Sequence, residues 1–192
     1  MKYFAWESEV LDEDVITLGQ IDQGPSPDSW QTGADLSRFM TEQTSIAFNK
    51  MFDSGTVWLD QLTNSLGLPI VNLDFLKFFK TLNLPDVDYY PIAVVDHNQK
   101  FQKEFFIIHP RKVIEIIDKE NSDLAFSRIE PEEIVGVYDI QLVDDLGNKF
   151  PKIFRPQYWS SNVFVSEDIV DKITARGFQG VDFVPLDDEY LR

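Results

Sequence analysis

The residues able to do acid-base or metal chemistry are few in kind. The chain has two histidines, His97 and His109, no cysteine, and thirty-three aspartates and glutamates. A histidine acts as a general base only with the reacting proton, and usually an orienting carboxylate, within hydrogen-bond reach. His97 lies in the polar run Asp96-His97-Asn98-Gln99, and His109 precedes Pro110 at the end of an apolar run. They fall at the tip and the base of one predicted hairpin, far apart in an extended strand pair. No glycine-rich phosphate loop follows a strand, no Gly-x-Ser-x-Gly elbow occurs, and no His-Glu-x-x-His pair is present. The run Asp12-Glu13-Asp14 lacks the glycine and the twelfth-position glutamate of a calcium loop. Carboxylates are so abundant that spacing alone selects no glycosidase-like pair. Without cysteine there is no disulfide and no thiolate metal site. These residues point to no catalytic site, no metal and no cofactor.

The elements that would position any site read most clearly at the C-terminal end. Val163, Phe164 and Val165 form a strand-like run, and Ser166 stands where an N-cap accepts an amide from the first helical turn. Glu167 and Asp168 suit the positive end of a helix dipole, Ile169, Val170 and Ile173 recur at helical spacing, and Gly177 is able to end the helix in the left-handed conformation. Phe178 is placed to fold back on Ile173. Gly180 then turns the chain into a second strand, Val181 to Val184, stopped by Pro185. Ninety-four residues earlier the plan recurs without a gap: Val71-Asn72-Leu73-Asp74 over Val165-Ser166-Glu167-Asp168, and Val87 to Ile92 over Val181 to Leu186. Phe75, Leu76, Phe79 and Leu82 supply that helix's apolar stripe, and Asn83 takes the place of Gly177.

Residues 2–6 read as a strand of the main sheet. Residues 22–33 read as a loop, since Gly24-Pro25-Ser26-Pro27-Asp28 fits neither a helix nor a central strand. Trp30 in that loop is either a lid over the core or an exposed contact. Leu36, Phe39, Met40, Ala47, Phe48, Met51 and Phe52 fall roughly at helical spacing and predict an N-terminal helical segment from residue 35, ended by Asp53-Ser54-Gly55. Residues 56–66 fit a helix or a strand. Residues 89–95 and 101–108 predict one hairpin, and residues 135–143 with 149–154, around Asp144-Asp145-Leu146-Gly147-Asn148, a second. Residues 113–118 and 124–129 read as further strands and Pro131-Glu132-Glu133 as a helical turn. Strands that mostly neighbour one another, with helices in few places, predict an α+β fold: a single domain over residues 1–192 with a mainly antiparallel or mixed sheet and two strand-helix-strand units.

Charge limits the partners. Seventeen bases against thirty-three acids give a net charge of −16, which opposes nucleic-acid binding because neutralising phosphates needs clustered lysine and arginine. The acids are spread over Asp12-Glu13-Asp14, residues 130–133, Asp144-Asp145 and Asp187-Asp188-Glu189. They serve as a solvated surface or as a field that steers in a basic protein. The N-terminus lacks the apolar core of a signal peptide and no run reaches membrane-spanning length, so the expected location is the cytoplasm, with no membrane partner.

The run from Val163-Phe164-Val165-Ser166-Glu167 through Gly177-Phe178-Gln179-Gly180 to Phe183-Val184-Pro185-Leu186 resembles the closing signature of a bacterial polymorphic-toxin immunity-protein family, the eleventh of that classification. Tyr90-Pro91-Ile92 and Ile107-Ile108-His109-Pro110 are similar to the family's middle, with His109 where an asparagine is expected. The resemblance covers residues 68–186, leaving residues 1–67 as a variable N-terminal part and 187–192 as an acidic tail. It implies a non-enzymatic protein, monomer or weak dimer, that binds and neutralises a cognate secreted toxin, with the acidic surface set against a basic active-site cleft. Other readings are a carboxylate-dependent hydrolase and a structural or adaptor subunit of a phage-like or secretion assembly. The candidate toxin-binding residues are Trp30 and Asp28 in the 22–33 loop and Asp187, Asp188 and Glu189 in the tail.

Overall fold

The computed structural model describes residues 2–9, 14–51, 55–129, 131, 134–143 and 150–186, and of Val137 the backbone alone. The strands and helices in chain order are β1 (Tyr3–Ser8), β2 (Thr17–Asp22), β3 (Ser45–Phe48), β4 (Gln61–Asn64), β5 (Ile70–Val71), α1 (Leu73–Thr81), β6 (Val87–Val95), β7 (Phe101–Pro110), β8 (Val113–Ile114), β9 (Asp123–Phe126), β10 (Ile134–Asp139), β11 (Ile153–Pro156), β12 (Phe164–Ser166), α2 (Glu167–Thr174) and β13 (Val181–Pro185). Two short 3-10 turns, Pro27–Gln31 and Ser37–Phe39, lie between β2 and β3.

Six strands close into a barrel in the order β2-β3-β6-β7-β5-β4, and a five-stranded sheet runs β13-β1-β12-β11-β8. A closed barrel goes beyond the expected mixed sheet, but its central hairpin is the expected one: β6 and β7 pair from Val87 opposite Pro110 to Val95 opposite Phe101. Side chains alternate across a strand. Tyr90, Ile92 and Val94 of β6 and Phe105 and Ile107 of β7 therefore fill the barrel with Leu18, Ile46, Leu62 and Ile70. Phe106, Ile108 and Val71 point the other way, into a second core beneath the two helices. The unbroken run Phe105-Phe106-Ile107-Ile108 is thus a strand covered on both faces.

The two strand-helix-strand units share one topology. β5 and β6 both pair antiparallel with β7, so they run parallel to each other with β7 between them. β12 and β13 stand in the same relation to β1. Each helix crosses over one intervening strand, and the two meet in a common core: Phe75, Leu76 and Phe79 from α1, Ile169, Val170 and Ile173 from α2, with Trp6 of β1. Asn72 caps α1 by accepting the Phe75 amide at 2.9 Å. Ser166 departs from the expected cap. Its hydroxyl accepts no helix amide and instead donates to Asp168 Oδ1 at 2.7 Å, so the Asp168 carboxylate supplies the negative charge at that helix start. Asn83 and Gly177 both take the left-handed conformation, with φ of 48° and 69°. Phe178 stacks on Phe75 of α1, ring centroids 4.4 Å apart, and so ties one unit to the other.

Gln61 joins barrel to sheet. Its Oε1 accepts the Trp6 indole N–H at 2.6 Å, its Nε2 donates to Glu7 O at 3.0 Å, and its backbone N–H donates to Gln179 O at 3.1 Å. Gly180 lies against this joint with φ 84°, where an added Cβ would stand 2.2 Å from Gln61 O. Only glycine fits there.

Two expectations are corrected. The segment from residue 35 is not a helix: it holds the 3-10 turn Ser37–Phe39 and then strand β3. The polar stretch 41–45, between Met40 and Ile46, explains this. Thr44 is buried, accepts the Thr41 N–H at 2.9 Å and donates to Gln23 O at 2.8 Å, so local side-chain bonds replace helical ones. β3 then pairs with both β2 and β6, which closes the barrel. The second hairpin is also different. β10 pairs with β9, while β11 pairs with β12 and β8, so residues 135–143 and 149–154 are not partners. The 56–66 segment resolves as strand β4. The turn at residues 144–148 and the Glu132-Glu133 part of the predicted helical turn lie outside the described residues.

Candidate partner-binding surface

The two histidines occupy opposite ends of the β6–β7 hairpin, as their spacing requires. His97 lies exposed in the turn, its ring 5.9 Å from that of Phe48. His109 is 0% exposed at the other end. Eight residue steps along β7 separate Phe101, where the pairing ends, from His109, roughly 25 Å of strand. His109 Nε2 lies 3.0 Å from Ala34 O. A carbonyl oxygen only accepts, so the neutral ring carries its proton on Nε2. Burial pulls its pKa down to about 4, with the Arg155 cation adding to the effect. The ring is neutral at pH 7 and closed to solvent, a poor place for a base that must reach a substrate.

Trp30 shares this buried cluster. Its indole is 1% exposed, edge-on to Tyr90 at 5.9 Å and to His109 at 5.6 Å between ring centroids. Trp30 is therefore the lid over the barrel core and not an exposed contact: a partner docking on the folded chain meets the loop and not the ring. Tyr90 anchors the same segment. Its hydroxyl accepts the Leu36 N–H at 2.9 Å and donates toward Asp88 at 3.0 Å, with Asp35 at 3.3 Å. Burial and the two carboxylates raise the Tyr90 pKa, which keeps the phenol protonated. Asp35 goes the other way, held low first by the Ser37 backbone N–H. Arg155, also buried, donates through Nη1 to Ser160 O at 2.8 Å and so fixes the loop between β11 and β12. Burial lowers its pKa to about 10, leaving it a cation at neutral pH. Nothing in Phe154-Arg155-Pro156 marks that arginine as buried.

On the surface, Asp28 is exposed in the first turn of the 3-10 segment over Trp30. Asp187, Asp188 and Glu189 lie outside the described residues. The structure thus brings Asp28 and Trp30 onto one segment, one outside and one inside. Among the described residues no three histidine, aspartate or glutamate side chains group as a metal site, and no helix is long and apolar enough to cross a membrane.

One surface feature has no counterpart in the sequence pattern. The β9–β10 pair and the residues just after β9 carry four large exposed apolar side chains: Phe126 (40%), Ile129 (91%), Val135 (60%) and Tyr138 (55%). The pairing explains two of them. Ile134 opposes Phe126 and Gly136 opposes Ala125; Val137 opposes Leu124 and Asp139 opposes Asp123. Val135 and Tyr138 are the extra residues of two β-bulges in one short strand, and bulged residues leave the ladder and re-aim their side chains. The sequence Val135-Gly136-Val137-Tyr138 announces a strand but not its bulges.

The model of the Immunity protein family (Imm11) matches residues 7–188. No curated protein matches the chain. The family match begins well before residue 68, where the motif resemblance starts, and so takes in the barrel strands and the Trp30 loop. With nearly its whole length matched, the chain belongs to the Imm11 immunity protein family.

Proposed function

We propose that this chain is the immunity partner of a secreted bacterial toxin: it binds the toxin in the cytoplasm of the producing cell and neutralises it by covering a basic active-site cleft with an acidic surface. Family membership across residues 7–188 carries the reading, and the net charge of −16 supports a basic partner. The protein acts by binding, without turnover, as a monomer or weak dimer whose chain meets the toxin one to one, and protects its cell in interbacterial competition. The two histidines fit this reading, since one is sealed in the core and the other stands in a turn. Exposed Asp28 and the tail acids Asp187, Asp188 and Glu189 contribute to the field the toxin meets, with Trp30 holding the Asp28 loop from beneath.

The test is the association rate with the purified toxin domain encoded beside this chain's gene, measured across a range of salt. Screening over a Debye length of about 10 Å at 0.1 M salt reduces steering between surface charges. A rate that falls about tenfold or more from 10 mM to 0.5 M salt is expected. A salt-independent rate removes the electrostatic part of the reading, and absence of binding removes the whole.

A further inference from the structure

We infer that the β9–β10 hairpin is an arm that inserts into the toxin, with Phe126, Ile129, Val135 and Tyr138 as the apolar centre of the contact and the surrounding acids as its rim. The inference rests on the toxin-binding reading and adds the surface that performs it.

The arm is fixed at its root and open at its face. Ile117 bridges to Leu142, the Val143 N–H donates to Ile116 O at 3.0 Å, and the Ile134 N–H donates to Tyr158 O at 2.9 Å. Ile134 and Leu124 pack into the core shared with Phe154 and Phe164. From this base the strand carries two bulges within six residues, and each places a large apolar side chain in water. Burial elsewhere does not account for that placement, and a polar residue at either bulge would suit an isolated chain better. An aromatic and aliphatic patch inside a charged rim is the usual composition of a protein contact.

The rim decides the occupant. Among the described residues of 115–143 five acids stand against two bases, a net charge of −3. Glu115, Glu120, Asp123 and Asp139 are exposed on it. A second copy of the chain would set these acids against their own kind, with −16 on each body. A basic toxin face complements the rim while its apolar residues cover the centre. An interface of ordinary size takes about 20–30 residues a side. The arm supplies the centre of such a surface, and neighbouring acids the remainder.

The experiment compares the wild-type chain, Ile129→Ser, the double variant Val135→Ser/Tyr138→Ser, and the control Leu73→Ser/Phe101→Ser, whose two residues are exposed away from the arm. Affinity for the toxin domain, protection of cells expressing it, and melting temperature are read for each. Both arm variants should weaken binding by about tenfold or more at an unchanged melting temperature, and the control should bind as wild type. Ile129 is 91% exposed, so its replacement tests the arm even where the bulge variant fails to fold. Wild-type binding and protection with undiminished affinity of Ile129→Ser overturns the arm and leaves the toxin reading standing. No binding by the wild type overturns both. A stable homodimer of the free chain that the arm variants dissolve assigns the surface to self-association and refutes the inference.

Discussion

Acid should loosen this protein through one ring. His109 is wholly buried, donates to Ala34 O, and has its pKa lowered from 6.5 to about 4 by burial and by the Arg155 cation. The folded value lies below the unfolded one, so the unfolded chain takes up the proton first. The stability this group contributes is complete above pH 6.5, declines as the pH falls toward 4, and changes no further below that. A tenfold change in proton affinity is worth about 1.4 kcal/mol, so the loss between pH 6.5 and about 4 comes to about 3 kcal/mol. The assay is urea denaturation at half-unit steps from pH 7.5 to 4, for the wild type and for His109→Asn. Asparagine offers an amide donor that does not titrate, and the wild-type-minus-variant difference cancels other groups. Among those, the Glu7 carboxyl, raised by burial and then by Asp182, works in the opposite sense. Asp96 and Asp118, held low by hydrogen bonds from Lys100 and Asn121 respectively, act beneath the window. A difference that stays flat to within about 0.5 kcal/mol between pH 6.5 and 4 refutes the burial argument.

Four substitutions probe the fold. Trp30→Ala empties the lid over the barrel and should cost about 3–5 kcal/mol by chemical denaturation; stability within about 1 kcal/mol of wild type would return Trp30 to the surface. Gly180→Ala drives a Cβ into Gln61 O and should destabilise by more than about 2 kcal/mol, whereas Gly177→Ala, with no atom within 4 Å of the new Cβ, should cost only the left-handed conformation, about 1–2 kcal/mol. Equal effects at the two glycines would show that conformation alone matters at both. Gln61→Leu leaves the Trp6 indole N–H and Glu7 O without their partners and should cost about 2–4 kcal/mol, read as a fall in melting temperature; an unchanged value would mean that barrel and sheet are joined by apolar packing alone.

Local patterns told most where local physics decides. The stripe and left-handed terminus of each helix, and the Asn72 cap of α1, were legible because a helix satisfies its hydrogen bonds within one short segment; the hydroxyl of Ser166, turned to Asp168, was not. The β6–β7 hairpin was legible for the same reason, its two runs being joined by a short polar turn. Closure of the barrel was not, because it depends on β3 finding β6 forty-eight residues away, and spacing across the polar stretch 41–45 imitates a broken helix. The pairing of β10 with β9, and not with the strand that follows it, is a choice between the two neighbours in sequence, which the apolar pattern of the strands alone does not make. Of the surface, the acidity was plain and its distribution was not. Trp30 had two readings that composition alone leaves open; burial decides for the lid. The bulges at Val135 and Tyr138 are properties of a pairing register, invisible until both strands are in place.

The central claim is tested most directly by co-purifying this chain with the product of the adjacent gene and titrating that protein's toxicity with it. A one-to-one complex, stable through gel filtration at low salt, that abolishes toxicity at equimolar amounts is the expected result. A chain that fails to bind the toxin, or binds it and leaves the toxicity intact, would contradict the claim.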